Sequence, residues 1–216
     1  TVIEILKKND FDIYYFDLDK NFEIISKNID QQNYDLLVLT HPFGFCLDIK
    51  YLKRFLNKDI QVIFDISHSQ GAKISNIDHV KFADISFMSL QGKKSISGGE
   101  GGVIFTDKED LYLDMINNHH PGHIKNDKLK IAGGINDLKL RMHPLAAILA
   151  KNDLESFDGR NNKLKKKIKL IYEYLNQLNI QHPYKDTSNI SGFHFGIPFF
   201  FLGNLDSIFI KKYNWY

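Results

Sequence analysis

The sequence holds a single cysteine, Cys46, so no disulfide can form within the chain and a reducing compartment is the expected setting. Charge of one sign is scarce: 28 basic against 26 acidic side chains leave a net +2, too little to argue for nucleic acid or a membrane surface as partner. No apolar run approaches the length needed to cross a bilayer, and the N-terminus lacks a basic segment followed by an apolar one. Metal-ligand spacing is also missing. His119, His120 and His123 lie in a polar loop beside a Pro-Gly turn, where solvated imidazoles are the ordinary outcome, so no metal site is expected. These absences describe a soluble cytoplasmic protein with neither nucleic-acid nor membrane partners. The chain begins with threonine rather than methionine, which fits a processed or incomplete chain.

What is present suffices for one domain with a real core, together with the start of a second: 216 residues, 43% of them hydrophobic. Val2, Ile3, Ile5 and Leu6 recur at helical spacing in residues 1–10. Residues 12–19 are rich in aromatic and β-branched side chains and predict a strand, and 22–32 a short helix. Residues 34–41 form a near-continuous apolar run, the pattern of a parallel strand buried on both faces. A turn at Pro42, Phe43 and Gly44 leads to a helix over 48–58, with Asp48 as its N-cap and Ile49, Leu52, Phe55 and Leu56 as its apolar stripe. Residues 60–72 then read as a strand that ends in polar groups.

Strand, helix and strand at this spacing make a βαβ unit, and in an open α/β sheet ligands sit beyond the carboxyl ends of the strands. Thr40, His41, Asp65, His68, Ser89 and Lys94 all fall at or just past such ends. The stretch 83–102, ADISFMSLQGKKSISGGEGG, predicts a strand, an exposed turn carrying an amine, and a second strand. A lysine at the end of a buried strand suits covalent chemistry, because desolvation and a neighbouring positive charge free its amine to attack a carbonyl. Lys93 and Lys94 both qualify, and a solvated lysine pair in a turn is the plain alternative. Asp65 closes a buried strand, where a carboxylate must meet a cation or a donor; a protonated ring nitrogen on a ligand, a helix cap or a salt bridge would each serve.

Further along, helices are predicted over 111–118, 140–158 and 160–178, with a polar loop at 119–137. Leu164, Ile168, Ile171, Leu175 and Leu178 form the apolar stripe of the last helix, and its run of three lysines reads as the wet face. Residues 191–204 predict a strand.

DISHSQGA at 65–72, SFMSLQGKKSISGGEGG at 86–102 and LRMHPLAA at 140–147 resemble, in order and spacing, the DegT/DnrJ/EryC1/StrS family of sugar aminotransferases. The resemblance implies the large domain of the aspartate-aminotransferase fold: α/β, three-layer α/β/α with a mostly parallel sheet, here incomplete at both ends. Residues 1–180 would be part of the large, pyridoxal-phosphate-binding domain and 181–216 the start of a small C-terminal domain. By the same resemblance Lys94, not Lys93, carries pyridoxal 5'-phosphate, Asp65 keeps its ring nitrogen protonated, His68 contacts its 3-hydroxyl and Ser89 donates to its phosphate. It further implies transamination of a nucleotide-linked keto-sugar, with an amino acid, usually glutamate, as donor, in surface-polysaccharide or deoxyamino-sugar synthesis, and a homodimer.

Two departures matter. The family often places asparagine two residues before the arginine that matches Arg141, reaching phosphate in the neighbouring subunit, whereas Lys139 stands here. The family's Gly-Thr or Gly-Ser phosphate pair and its ring-stacking aromatic, which belong further towards the N-terminus, have no counterpart, so weak cofactor binding by the isolated chain is expected. Two other functions remain on the same fold. One is dehydration, in which a histidine replaces the cofactor-bearing lysine; the other is a sensory or structural role without cofactor.

Overall fold

The computed structural model describes residues 2–25, 34–47, 49–56, 59–119, 140–184, 190–191 and 197–198. Helix α1 (Val2–Lys8) precedes an irregular stretch, and the chain then enters strand β1 (Leu36–Thr40), helix α2 (Ile49–Leu56) and strand β2 (Gln61–Asp65). Short strands β3 (Lys73–Ile74) and β4 (Ile77–Asp78) form a small antiparallel turn before β5 (Ile85–Ser89) and β6 (Gly102–Phe105). Helices α3 (Glu109–His119), α4 (Pro144–Glu155) and α5 (Phe157–Gln177) follow, and β7 (Ile190–Ser191) pairs antiparallel with β3.

The principal sheet has the order β1-β2-β5-β6, with β1, β2 and β5 parallel and β6 antiparallel to β5. Its parallel part follows from the connections: α2 carries the chain from β1 back to the start of β2, as a parallel neighbour requires. Register aligns Thr40, Asp65 and Phe87 across the carboxyl edge. Leu37, Leu39, Val62 and Phe64 alternate onto one face and meet Leu52 and Phe55 of α2, forming the main core with Ile66, Ala72 and Ile74. A second cluster joins Leu90 and Ile96, on either side of the lysine turn, to Ala150 of α4 and Phe157 of α5. A third gathers Ile168, Tyr172 and Leu175 against Ile180, Tyr184 and Ile197.

Several local expectations change. Residues 22–25 are not helical: Phe22, at φ +59°, belongs to a tight turn, and Leu18 and Ile24 form an isolated antiparallel bridge, closed by Asp19 Oδ1 accepting from the Asn21 and Glu23 N–H groups, both at 2.8 Å. The aspartate side chain offers the backbone a turn that competes with helix. The rest of the predicted 22–32 helix and the Asp48 cap lie outside the described residues, as do 120–137, Lys139 and most of 191–204. β1 buries one face fully and the other in part, because Leu36 and Val38 are only half-buried.

The predicted 140–158 helix begins only at Pro144. His143 is its N-cap, with Nδ1 accepting from the Leu145 N–H at 3.2 Å, and Pro144 occupies the first turn. On α5, Tyr172 rather than Ile171 completes the buried stripe with Ile168 and Leu175; Ile171 is 40% exposed. Of the run of three lysines read as the wet face, Lys166 and Lys167 are exposed and Lys165 is half-buried. No helix among the described residues is long and apolar enough to cross a membrane, and no group of potential metal ligands is found among them.

Candidate active site

At the carboxyl edge, side-chain parity sorts the six polar candidates. Thr40, Asp65, Phe87 and Ser89 share one face of the sheet, because partners in register point the same way and alternate residues of a strand return to the same side. His41 has the parity of Leu37 and Leu39. Its ring therefore turns into the core, 1% exposed, edge-on to Phe64 at 4.7 Å and to His79 at 5.4 Å. The position of His41 just past the end of β1 placed it among the candidates, and its alternation removes it.

Asp65, His68 and Lys94 come together. Asp65 is half-buried, and its Oδ1 accepts from the Ser67 N–H at 3.0 Å, an Asx turn that starts the loop after β2. His68 stands on that loop, half-buried, with its ring centroid 6.4 Å from that of Phe43. Its pKa is lowered from the usual histidine range, first by burial and then by the charge of Lys94, with Asp65 pulling the other way. One imidazole thus feels both the amine and the carboxylate, which puts the three groups in one neighbourhood. Lys94 is half-buried where Lys93 is exposed, and the Lys94 N–H closes its turn on the Gln91 carbonyl at 2.8 Å. Ser89 Oγ accepts from the Gln91 N–H at 3.3 Å, which leaves its own hydrogen to donate.

Residues that sequence reasoning passed over hold this loop in place. Ser67 Oγ accepts from the Ser89 N–H at 3.1 Å, and Gln70 Nε2 donates to the Ser89 carbonyl at 2.8 Å while its Oε1 accepts from the Ile96 N–H at 2.7 Å. From the other side, Asp153 Oδ2 accepts from the Ser97 N–H at 2.8 Å, and Arg160 pairs with Asp153 Oδ1 at 2.7 Å while donating to the Ser95 carbonyl at 3.3 Å. The signal for Gln70 was present in the sequence, since an amide buried just after a core strand needs internal partners. Asp153 and Arg160 lie too far along the chain to have been paired with the loop by spacing.

The glycines make close approaches possible. Gly71 has φ +69°, and an added Cβ would lie within 2.8 Å of Phe157 Cζ. Gly98 lies against the backbone of α4, where a Cβ would come 2.5 Å from the Ala146 oxygen, and Gly101, at φ +126°, faces Met142. The GEGG element and the Arg-Met element, about 40 residues apart in the chain, are therefore packing partners. A cavity of about 320 Å³ lies elsewhere, between α1, residues 11–18 and β1; it is lined mainly by apolar side chains and includes none of Asp65, His68, Ser89 or Lys94.

Residues 10–199 match the model of the DegT/DnrJ/EryC1/StrS aminotransferase family, and the chain belongs to that family, whose members are pyridoxal-phosphate enzymes. No curated protein matches the chain. Among solved structures, AtS13 from Actinomadura melliaura is similar at 18% identity over 91% of this chain and 56% of its own, with a TM-score of 0.75. An aminotransferase from Psychrobacter cryohalolentis is similar at 18% identity over 89% and 54%, with a TM-score of 0.77. The E. coli GDP-4-keto-6-deoxy-D-mannose-3-dehydratase, solved with bound hydrated PLP, shares 19% identity over 97% and 59%, with a TM-score of 0.73. At these identities the likeness establishes the fold, and the chain spans little more than half the length of each structure.

The residues present fit such a cofactor. Asp65 keeps Oδ2 clear of hydrogen bonds to the described residues, the half-buried Lys94 lies near enough to His68 for its charge to act there, and Ser89 retains a donor at the strand end.

Proposed function

We propose that this chain supplies the cofactor-bearing part of a pyridoxal-phosphate-dependent aminotransferase acting on a nucleotide-linked keto-sugar, with glutamate as amino donor. The observation that carries the reading is that Asp65 and Ser89 share one face at the carboxyl edge of a parallel sheet, while Gln70, on the loop that carries His68, is bonded to both arms of the turn that carries Lys94. When bound, pyridoxal phosphate supplies an electron sink for charge developing on the substrate carbon.

The chain's own residues supply binding, orientation and proton handling. Lys94 would hold the cofactor through Nζ, and its amine would also serve as the base that moves a proton to or from the substrate carbon. Asp65 holds a proton on the ring nitrogen through its unengaged oxygen, a contact stabilised by the limited solvent access at the strand end. His68, kept neutral by burial and by the Lys94 charge, hydrogen-bonds the ring hydroxyl without adding a second positive charge. Ser89 donates its hydroxyl to phosphate. In this reading residues 1–180 belong to the large domain, 181–216 begin the small one, and the working enzyme is a homodimer. A lysine at position 94, where the dehydratases of this fold would carry histidine, favours transamination over dehydration.

The test is to add pyridoxal phosphate to the protein, reduce with borohydride and map the modified lysine. Visible absorbance on mixing, with label on Lys94 that Lys94→Ala abolishes and Lys93→Ala preserves, is expected. Label on Lys93, or spread over surface lysines, would overturn the assignment. Amino transfer from pyridoxamine phosphate to candidate nucleotide keto-sugars then separates a transaminase from a dehydratase or a cofactor-free homologue.

A further inference from the structure

The ladder between β2 and β5 ends at Asp65 and Phe87, yet β5 continues two residues further, to Ser89. Beyond the last pair, Ser89 has no strand beside it on the β2 side. Side chains from the loop after β2 take over the strand's role there: the Ser67 hydroxyl accepts the Ser89 N–H, and the Gln70 amide donates to the Ser89 carbonyl. Gln70 then reaches across to the Ile96 N–H on the far arm of the lysine turn. It is 1% exposed, so neither water nor a shift of rotamer can replace these bonds cheaply. Its backbone neighbours tie the same loop to the site, since Asp65 and His68 lie five and two residues before it and Gly71 follows.

We propose that Gln70 is a positioning residue: by joining both arms of the turn that carries Lys94 to the loop that carries Asp65 and His68, it sets the distance and direction of the amine relative to the carboxylate. The inference rests on the reading that Lys94 is the cofactor-bearing residue, but its mechanical part does not. Gln70 bridges Ser89 and Ile96, which flank Lys94 by five and two residues. A side chain of equal length without the amide fills the same space, frees the Ile96 arm from the loop and leaves the Ser89 arm held by Ser67 alone. Asp153 and Arg160 still hold Ser97 and Ser95, so the loop keeps its outer attachment and loses the inner one.

The test uses Gln70→Met, with Ser67→Ala as a second variant that removes only the acceptor for the Ser89 N–H. Hydrogen exchange of the peptide covering 88–98 is measured against that of β1, together with borohydride capture of pyridoxal phosphate on Lys94 and Lys93. Gln70→Met is expected to speed exchange in 88–98 by roughly tenfold or more, the scale of one buried hydrogen bond left unmade, with β1 unchanged. It is also expected to erase most of the preference for Lys94 over Lys93. A general loss of stability would raise exchange in β1 as well and would not alter the ratio of the two lysines. If Gln70→Met fails to fold, Ser67→Ala should show the same changes in smaller degree. Unchanged exchange in 88–98, or an unchanged lysine ratio in a wild type that labels Lys94, overturns the proposal. A wild type that never labels Lys94 overturns the functional reading instead, and the exchange arm then still decides whether Gln70 joins the loop.

Discussion

Replacing Gly71 with alanine tests how the site loop is seated on the helices beneath it. The residue has φ +69°, where an L side chain costs about 1–2 kcal/mol. A Cβ would also press on the Phe157 ring, which is 4% exposed and packed among Leu90, Ile96 and Ala150, so it cannot swing away freely. Overpacking of that kind costs about 1–3 kcal/mol, giving a total of about 2–5 kcal/mol. Against a domain stability of about 5–15 kcal/mol this is large. Urea unfolding followed by far-UV circular dichroism should show the midpoint falling by about 1–2.5 M at an m-value near 2 kcal/mol/M, with the slope unchanged. In a Phe157→Leu background the steric part should shrink, so the penalty of Gly71→Ala should fall by about 1–3 kcal/mol. A Gly71→Ala variant within about 0.5 kcal/mol of wild type would refute the packing argument, and an equal penalty in both backgrounds would refute its steric half.

Three further outcomes follow from buried and paired ionisable groups. Burial holds His41 down to about 3, helped by the charge of His79, and burial holds His79 down to about 4 against the opposing Ala72 carbonyl and Asp78. The unfolded chain therefore binds protons that the folded chain refuses, so stability falls as pH drops below about 6.5. Each histidine accounts for about 2 kcal/mol between pH 7 and 5, and His41→Phe should remove roughly half of that slope in urea midpoints; a flat profile would sink the assignment. Cys46 is buried and its thiol is pushed up to about 12 by desolvation, so native protein should resist a thiol-reactive disulfide reagent until unfolded; rapid native reaction would contradict this. For Asp84, burial raises the pKa, but Lys108 Nζ at 2.6 Å and the Val62 N–H at 2.6 Å outweigh it and leave it lowered. Its stabilisation is present above the ordinary aspartate range and is lost as pH falls through the folded value. Asp84→Asn should cost about 1–2 kcal/mol at pH 7 and nothing near pH 2, as read by thermal melts at the two pH values.

The linear order of charge, glycine and apolar alternation was enough to predict β1, α2, β2 and β5 and the turn that bears Lys94, because these depend on neighbours close in the chain. Residue pattern alone left Lys93 and Lys94 level; the family resemblance placed Lys94 first, and the two lysines differ in burial, Lys94 half-buried and Lys93 exposed. Reading β1 as buried on both faces concealed the parity that sends His41 inward, although the alternation was there to be counted. The helix expected over 22–32 lost residues 22–25 to Asp19, whose side chain accepts from the Asn21 and Glu23 N–H groups and so draws the start of that segment into a tight turn.

Sequence by itself determined which residues could end a strand, break a helix or carry an amine, since each of those properties is local to a few bonds of backbone. Only the tertiary structure decided which of them meet: Gln70 with both arms of the lysine turn, Asp153 and Arg160 with Ser97 and Ser95, Gly71 with Phe157, and Gly101 with Met142. Such contacts join segments tens of residues apart. They are chosen by how the sheet and α4 and α5 pack as bodies, because many apolar contacts distributed over the cores outweigh any single polar preference.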